Sequence, residues 1–165
     1  MKHEIDAEYR FCTFEVGGQS YGINILAVRE IHPDLDITTA PGAPAYVDGL
    51  INLRGQIVTI LDTAAILGKG KSFVTQDSRL VILRNNAELD AKGIEGIETA
   101  NDVVGFRVDR VTDVVSVHGN EVRSAPATLD GDDDAALVTG VIARGDDLVR
   151  VLDPTLLLDL RPEAV

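Results

Sequence analysis

Residues 21–31, YGINILAVREI, align without a gap on residues 104–114, VGFRVDRVTDV. Gly22 meets Gly105, Ile25 meets Val108, Val28 meets Val111, Glu30 meets Asp113, and Ile31 meets Val114. A second pair follows each copy: residues 49–62, GLINLRGQIVTILD, and residues 140–153, GVIARGDDLVRVLD. Each holds an Arg-Gly near its middle, Arg54-Gly55 and Arg144-Gly145, then an apolar strand and a closing Asp. Two unrelated β-hairpins can share alternation and an Arg-Gly turn. The common order, spacing and terminal Asp point instead to duplication. A chain that repeats a β-rich unit builds two similar small barrels, and such an object more often offers surfaces than a catalytic cleft. Gly22 to Gly105 is a step of 83 residues and Gly49 to Gly140 one of 91, which puts eight extra residues between 114 and 140.

Local signals fill in the elements. Residues 10–16 read as a strand with Cys12, Phe14 and Val16 on one face, and Gly17-Gly18 supplies the positive φ of a tight turn. Ile25 to Val28 reads as a short helical turn or a bend, leading into a strand that runs to about Ile37. Leu50–Leu53 and Gln56–Leu61 form a hairpin about Arg54-Gly55, and Asp62 caps a short helix that Gly68 stops. Residues 87–102 hold five acidic residues, one Lys and two Gly with weak apolar periodicity. They read as a solvated loop whose deletion leaves the fold intact. Asp153-Pro154 begins a last helix. Many short strands with little helix mean an all-β fold of small barrels or a sandwich.

Composition narrows the function classes. A net charge of −12 repels nucleic acid and anionic membranes. The 45% of hydrophobic residues suffices for a sizeable core, but no uninterrupted apolar run is long enough to span a bilayer. The amino terminus lacks a signal-peptide core and Cys12 is the single cysteine, so a soluble cytoplasmic protein is expected.

Three motifs tempt a catalytic or ligand-binding reading. Gly70-Lys71-Ser72 lacks the upstream glycine of a phosphate loop, since Ala65 stands there. Asp130, Asp132 and Asp134 have calcium-loop spacing, but Ala135 replaces the turn glycine and Val141 the closing Glu. His3, His32 and His118 have no ligand spacing, and no nucleophile elbow surrounds any of the five serines. No catalytic residue, metal or cofactor is expected.

The run from Tyr21 to Ile31, followed by Pro41, Pro44 and the Gly49–Asp62 segment, resembles the CheW family of chemotaxis adaptors. The resemblance covers about residues 9 to 160 and extends to Gly105, Val108 and Val111 of the second copy. It implies an all-β fold of two SH3-like five-stranded β-barrels packed on a shared hydrophobic core, with short helices. The organisation expected is a tail over 1–8 and one CheW-like domain over 9–161, with duplicated units at about 20–67 and 103–160. The resemblance further implies a non-enzyme that binds the cytoplasmic hairpin tip of chemoreceptors and the regulatory domain of the histidine kinase CheA, itself of the same fold. Thr59 and Thr63-Ala64-Ala65 depart from the family pattern.

The partner-binding residues it points to are Val28 and Ile31 for an apolar groove, with Val111 as the second copy's contribution, and Glu30 and Arg54 as charged contacts. Asn52 and Gly55 shape the turn that presents Arg54. The charged and apolar candidates have bland counterparts: barrel core for Val28 and Ile31, a solvated charge for Glu30, and hairpin decoration for Arg54, which Arg144 in the same turn of the other copy would share. A coupling protein of a non-flagellar chemosensory pathway and a small β-barrel enzyme with an unrecognised site are the alternatives.

Overall fold

The computed structural model describes residues 7–33, 35–70, 72–129 and 131–159. Residues 1–6 of the expected tail, Lys71, Asp130, and residues 160–161 at the expected domain end lie outside the described residues. The strands are β1 (Glu8–Val16), β2 (Gln19–Asn24), β3 (Val28–His32), β4 (Val47–Leu53), β5 (Gln56–Asp62), β6 (Arg79–Leu83), β7 (Val104–Val108), β8 (Arg110–His118), β9 (Val138–Arg144) and β10 (Asp147–Leu152). Three short helices accompany them: α1 (Thr63–Ile66), α2 (Asn86–Ala91) and α3 (Pro154–Leu158).

Two five-stranded sheets form, in the orders β8-β1-β2-β10-β9 and β3-β6-β7-β5-β4. Advancing every strand of the second sheet to its counterpart in the other half of the chain reproduces the order of the first. Neither sheet belongs to one repeat. β2 of the first copy lies parallel to β10 of the second, and β5 of the first lies parallel to β7 of the second. The other pairings are antiparallel.

The repeated glycines sit where this exchange is tightest. A Cβ on Gly22 would lie 3.2 Å from Val149, and one on Gly105 only 2.7 Å from Ile82 and 3.0 Å from Ile60. Gly49 and Gly140 close the barrels. Beside them Thr38 exchanges two backbone hydrogen bonds with Leu50, and Arg123 two with Val141, so the chain beyond β3 and beyond β8 reaches the far edge strand of its own sheet. A Cβ on Gly49 would fall 2.1 Å from the Thr38 carbonyl, and Gly49 itself has φ +151°.

Alternation along the strands divides the interior into three parts. Leu80, Ile82, Ile51, Val58 and Ile60 fill one barrel, while Phe11, Val115, Ile142, Val149 and Val151 fill the other. Between them lies a shared core of Cys12, Phe14, Tyr21, Ile23, Leu61, Val81, Leu83, Phe106, Leu152 and Leu157, among others. Asp62 and Asp153, the repeated terminal acids, accept hydrogen bonds from Ala64 N and Thr155 N and start α1 and α3.

Two expectations from the sequence are corrected. The strand after Val28 ends at His32 and not at Ile37, because Pro33 cannot donate to a ladder. The acidic stretch 87–102 is not a plain solvated loop. Asn85 and Glu88 form a capping box that starts α2, Leu89 is buried, and Ile97 packs against the shared core. Thr99 Oγ1 donates to the Arg84 carbonyl at 2.5 Å and Thr155 Oγ1 to the Glu98 carbonyl at 3.0 Å, tying the later part of the segment down. Leu89→Ala should therefore cost about 2–5 kcal/mol in denaturant unfolding, whereas a surface loop residue would cost almost nothing.

The acidic loop after β8 is held by a cation of the protein itself. Asp134 is buried and takes two hydrogen bonds from Arg150 Nη1, at 2.7 and 2.9 Å, and one from the Tyr21 hydroxyl. Asp132 pairs with Arg150 Nη2 at 2.9 Å. Two carboxylates with calcium-like spacing are thus committed to a guanidinium. Because Asp134 would be left charged and buried, Arg150→Ala should destabilise by about 3–5 kcal/mol in chemical denaturation; Asp132→Ala, at the exposed end of the pair, should cost less than about 1 kcal/mol.

Candidate partner-binding site

Arg54 and Gly55 are the two central residues of the β4–β5 turn, since Leu53 pairs with Gln56. Both have positive φ, +52° and +86°. This is the combination that a two-residue type I′ hairpin requires, and it favours Asn or Gly over Arg at the first position. Arg54 is the one non-glycine residue with positive φ among the described residues. Asn52 Oδ1 accepts a hydrogen bond from Gly55 N at 2.8 Å and braces the turn.

The strained turn carries its arginine to a carboxylate. Arg54 Nη2 lies 2.5 Å from Glu30 Oε1 and Nη1 lies 3.4 Å from Oε2, a bidentate pair on the protein surface. One residue further along, Arg29 Nη1 donates to Gln56 Oε1 at 3.2 Å. These two rungs tie β3 to the hairpin. The remaining faces of Arg29 belong to Glu88, which accepts from Nε at 3.0 Å and also pairs with Nη2. The Arg29 guanidinium holds the Glu88 carboxyl below the usual carboxylate range, against the opposing effect of its burial.

The apolar residues divide differently from expectation. Ile31 is 37% exposed and Ile57, next to Gln56, is 60% exposed. Val28 is only 7% exposed and belongs to the shared core, where Val111 also packs. Val28 offers a partner little surface, while Val111 is half-buried. Arg144 is not the counterpart of Arg54: it is the last residue of β9, paired with Asp147, and the turn residues there are Gly145 and Asp146. The step of 91 places Arg54 opposite Gly145, so the two Arg-Gly pairs are out of phase by one residue. Arg29, Gln56 and Glu88 were missed by sequence reasoning. The spacing of Asn85 and Glu88 is a capping signature, but nothing in the sequence links Arg29 to Glu88, 59 residues away.

The positions matching Ile31 and Ile57 are Val114 and Leu148, 42% and 36% exposed. Beside them in the sequence stand exposed Asp113, Asp146 and Asp147, where the first copy has Glu30, Gly55 and Gln56. The two barrels therefore present related apolar positions in different charge settings.

Comparison with known proteins agrees with this architecture. The family model for the CheW-like domain matches residues 10–161. The chain is 28% identical over 159 residues to "Chemotaxis protein CheW" of Bacillus subtilis (strain 168), spanning 96% of this chain and 92% of that protein. It is 32% identical over 142 residues to the protein of the same name from Rhizobium meliloti (strain 1021), spanning 86% and 82%. The crystal structure of scaffolding protein TtCheW from Thermoanaerobacter tengcongensis superposes with a TM-score of 0.74 at 25% identity, over 97% of this chain and 94% of that one. With both exchanged sheets inside the matched segment, the chain belongs to the CheW family.

Proposed function

We propose that the chain is a non-catalytic adaptor of a chemotaxis signalling array that couples chemoreceptor cytoplasmic tips to the regulatory domain of the histidine kinase CheA. The observation that carries this reading is Arg54. A non-glycine residue is held at positive φ in a turn that glycine would occupy without strain, and what the chain gains there is an exposed guanidinium paired with Glu30, the residue before exposed Ile31. Backbone strain of this kind collects at functional positions, and arginine next to apolar residues is a common interface anchor.

An adaptor needs more than one contact surface. Exposed apolar residues at matching positions of the two barrels, Ile31 and Ile57 in one and Val114 and Leu148 in the other, with different charged sequence neighbours, supply two related but distinct ones. CheA's regulatory domain shares the fold, so its own barrels would offer the same kind of surface in return. The net charge of −12 keeps the chain off nucleic acid and anionic lipid. No helix among the described residues is long and apolar enough to cross a membrane. The reading places the protein in the cytoplasm, recruited to membrane-associated arrays through receptors, with no cofactor.

Titration with receptor signalling fragments and the cognate kinase domain tests this reading. Arg54→Glu and Glu30→Arg should each weaken binding by about 2 kcal/mol, roughly thirtyfold, and the double exchange should recover much of it. Arg144→Glu, at a strand end, should change binding by less than about 1 kcal/mol. Arg54→Gly separates strain from function: it should raise stability by about 0.5–1 kcal/mol while still losing affinity. Full binding by Arg54→Gly would remove Arg54 from the site.

A further inference from the structure

We propose that Glu88 is a positioning residue for the partner surface: by clamping Arg29 it fixes the β4–β5 hairpin against β3 and so holds Arg54 ready to bind. This rests on the reading of the Glu30–Arg54 edge as a partner contact. The acidic 86–102 segment would then be a built-in brace that sets affinity without touching the partner.

The geometry leads to Glu88 in three steps. The hairpin tip is held to β3 at two rungs, Arg54 to Glu30 and Gln56 to Arg29. Of the Arg29 contacts, the single bond to Gln56 is long, at 3.2 Å, and links a charged group to a neutral amide, whereas Glu88 takes two of its nitrogens. Glu88 thus decides where the guanidinium sits, and with it whether the second rung forms. Glu88 is itself fixed. Its backbone N–H donates to Asn85 Oδ1 at 2.9 Å, and its carboxylate accepts from Asn85 N at 3.3 Å. The helix it starts is pinned by buried Leu89 and by Arg84, whose Nη1 donates to the Leu26 carbonyl at 2.9 Å immediately before β3.

Bracing raises affinity because a partner need not immobilise the side chains it contacts. Losing it should cost about three- to tenfold in binding, corresponding to one or two rotamer-rich side chains. The pair is also robust to mild acid. Glu88 is held below the usual carboxylate range, so its contribution is present above the unfolded pKa of about 4.3 and is lost only as pH falls through the lowered folded value.

Glu88→Gln is the test, because Gln at the third helical position still closes a capping box while removing the charge. Hydrogen exchange, partner titration and thermal unfolding are compared for wild type, Glu88→Gln, Arg54→Ala and the double variant. Arg29→Met, which breaks the same contact from the other side, serves as a second probe. Expected are at most a small fall in melting temperature, faster amide exchange at Gly55 and Gln56, and a three- to tenfold loss of affinity that disappears in the Arg54→Ala background. Unchanged exchange at the hairpin, or an affinity loss of equal size with and without Arg54, would overturn the proposal. If wild type binds neither receptor fragment nor kinase domain, the adaptor reading fails, and hairpin exchange in Glu88→Gln and Arg29→Met alone decides whether the brace exists.

Discussion

Thr59 to Asp62 of β5 lie beside Val104 to Arg107 of β7, and Ser20 to Gly22 of β2 lie parallel to Val149 to Val151 of β10. These two parallel seams join strands from opposite halves of the chain, and everything else in the fold is arranged around them. A repeat taken alone leaves its middle strand, β3 or β8, without a partner and one edge of each hairpin unpaired. Its hairpin would expose a row of unpaired backbone groups on one side and an apolar face on the other. Exchange solves both problems at once, because each sheet takes two strands from one half and three from the other. The shared core then forms on the surfaces the two sheets turn toward each other, and Tyr21, Phe106 and Leu152 can be buried only when both halves are present.

The seams also explain which residues the repeat keeps. Gly22 and Gly105 stand in the strands that make the parallel contacts, where a Cβ would press on Val149 and on the ends of Ile82 and Ile60. Gly49 and Gly140 stand where the returning chain closes each barrel. The terminal acids Asp62 and Asp153 start the helices that cover the shared core. Positions free of these duties have diverged. One hairpin carries Arg54 in a strained turn, and the other carries Asp146 and Asp147.

Much of this was legible in the sequence, for the reason that the repeated residues have local duties. Glycine, turn and cap positions leave marks that survive without any knowledge of pairing. The exchange of strands left none: alternation shows that a strand exists but not which strand lies beside it. The helix at Asn86–Ala91 was signalled by Asn85 and Glu88, but a segment with five carboxylates and only one side chain to bury in that helix shows little apolar periodicity. For the site, Glu30 and Arg54 were identified separately through family resemblance, while their pairing is a property of barrel closure. Val28 illustrates the converse. Its place in the repeat marked it as important, and the structure assigns that importance to the core. The matching of Arg54 with Arg144 failed by one residue, and one residue in a hairpin separates a turn position from a strand position.

The central claim is that neither half of the chain can form a sheet by itself. Its direct test is to produce residues 1–70 and 71–165 as separate fragments and follow their circular dichroism and thermal unfolding alone and after mixing. Each fragment alone should lack a cooperative transition, and equimolar mixing should restore a single cooperative melt and a one-to-one complex. Cooperative unfolding of either fragment by itself, with no change on mixing, would contradict the account.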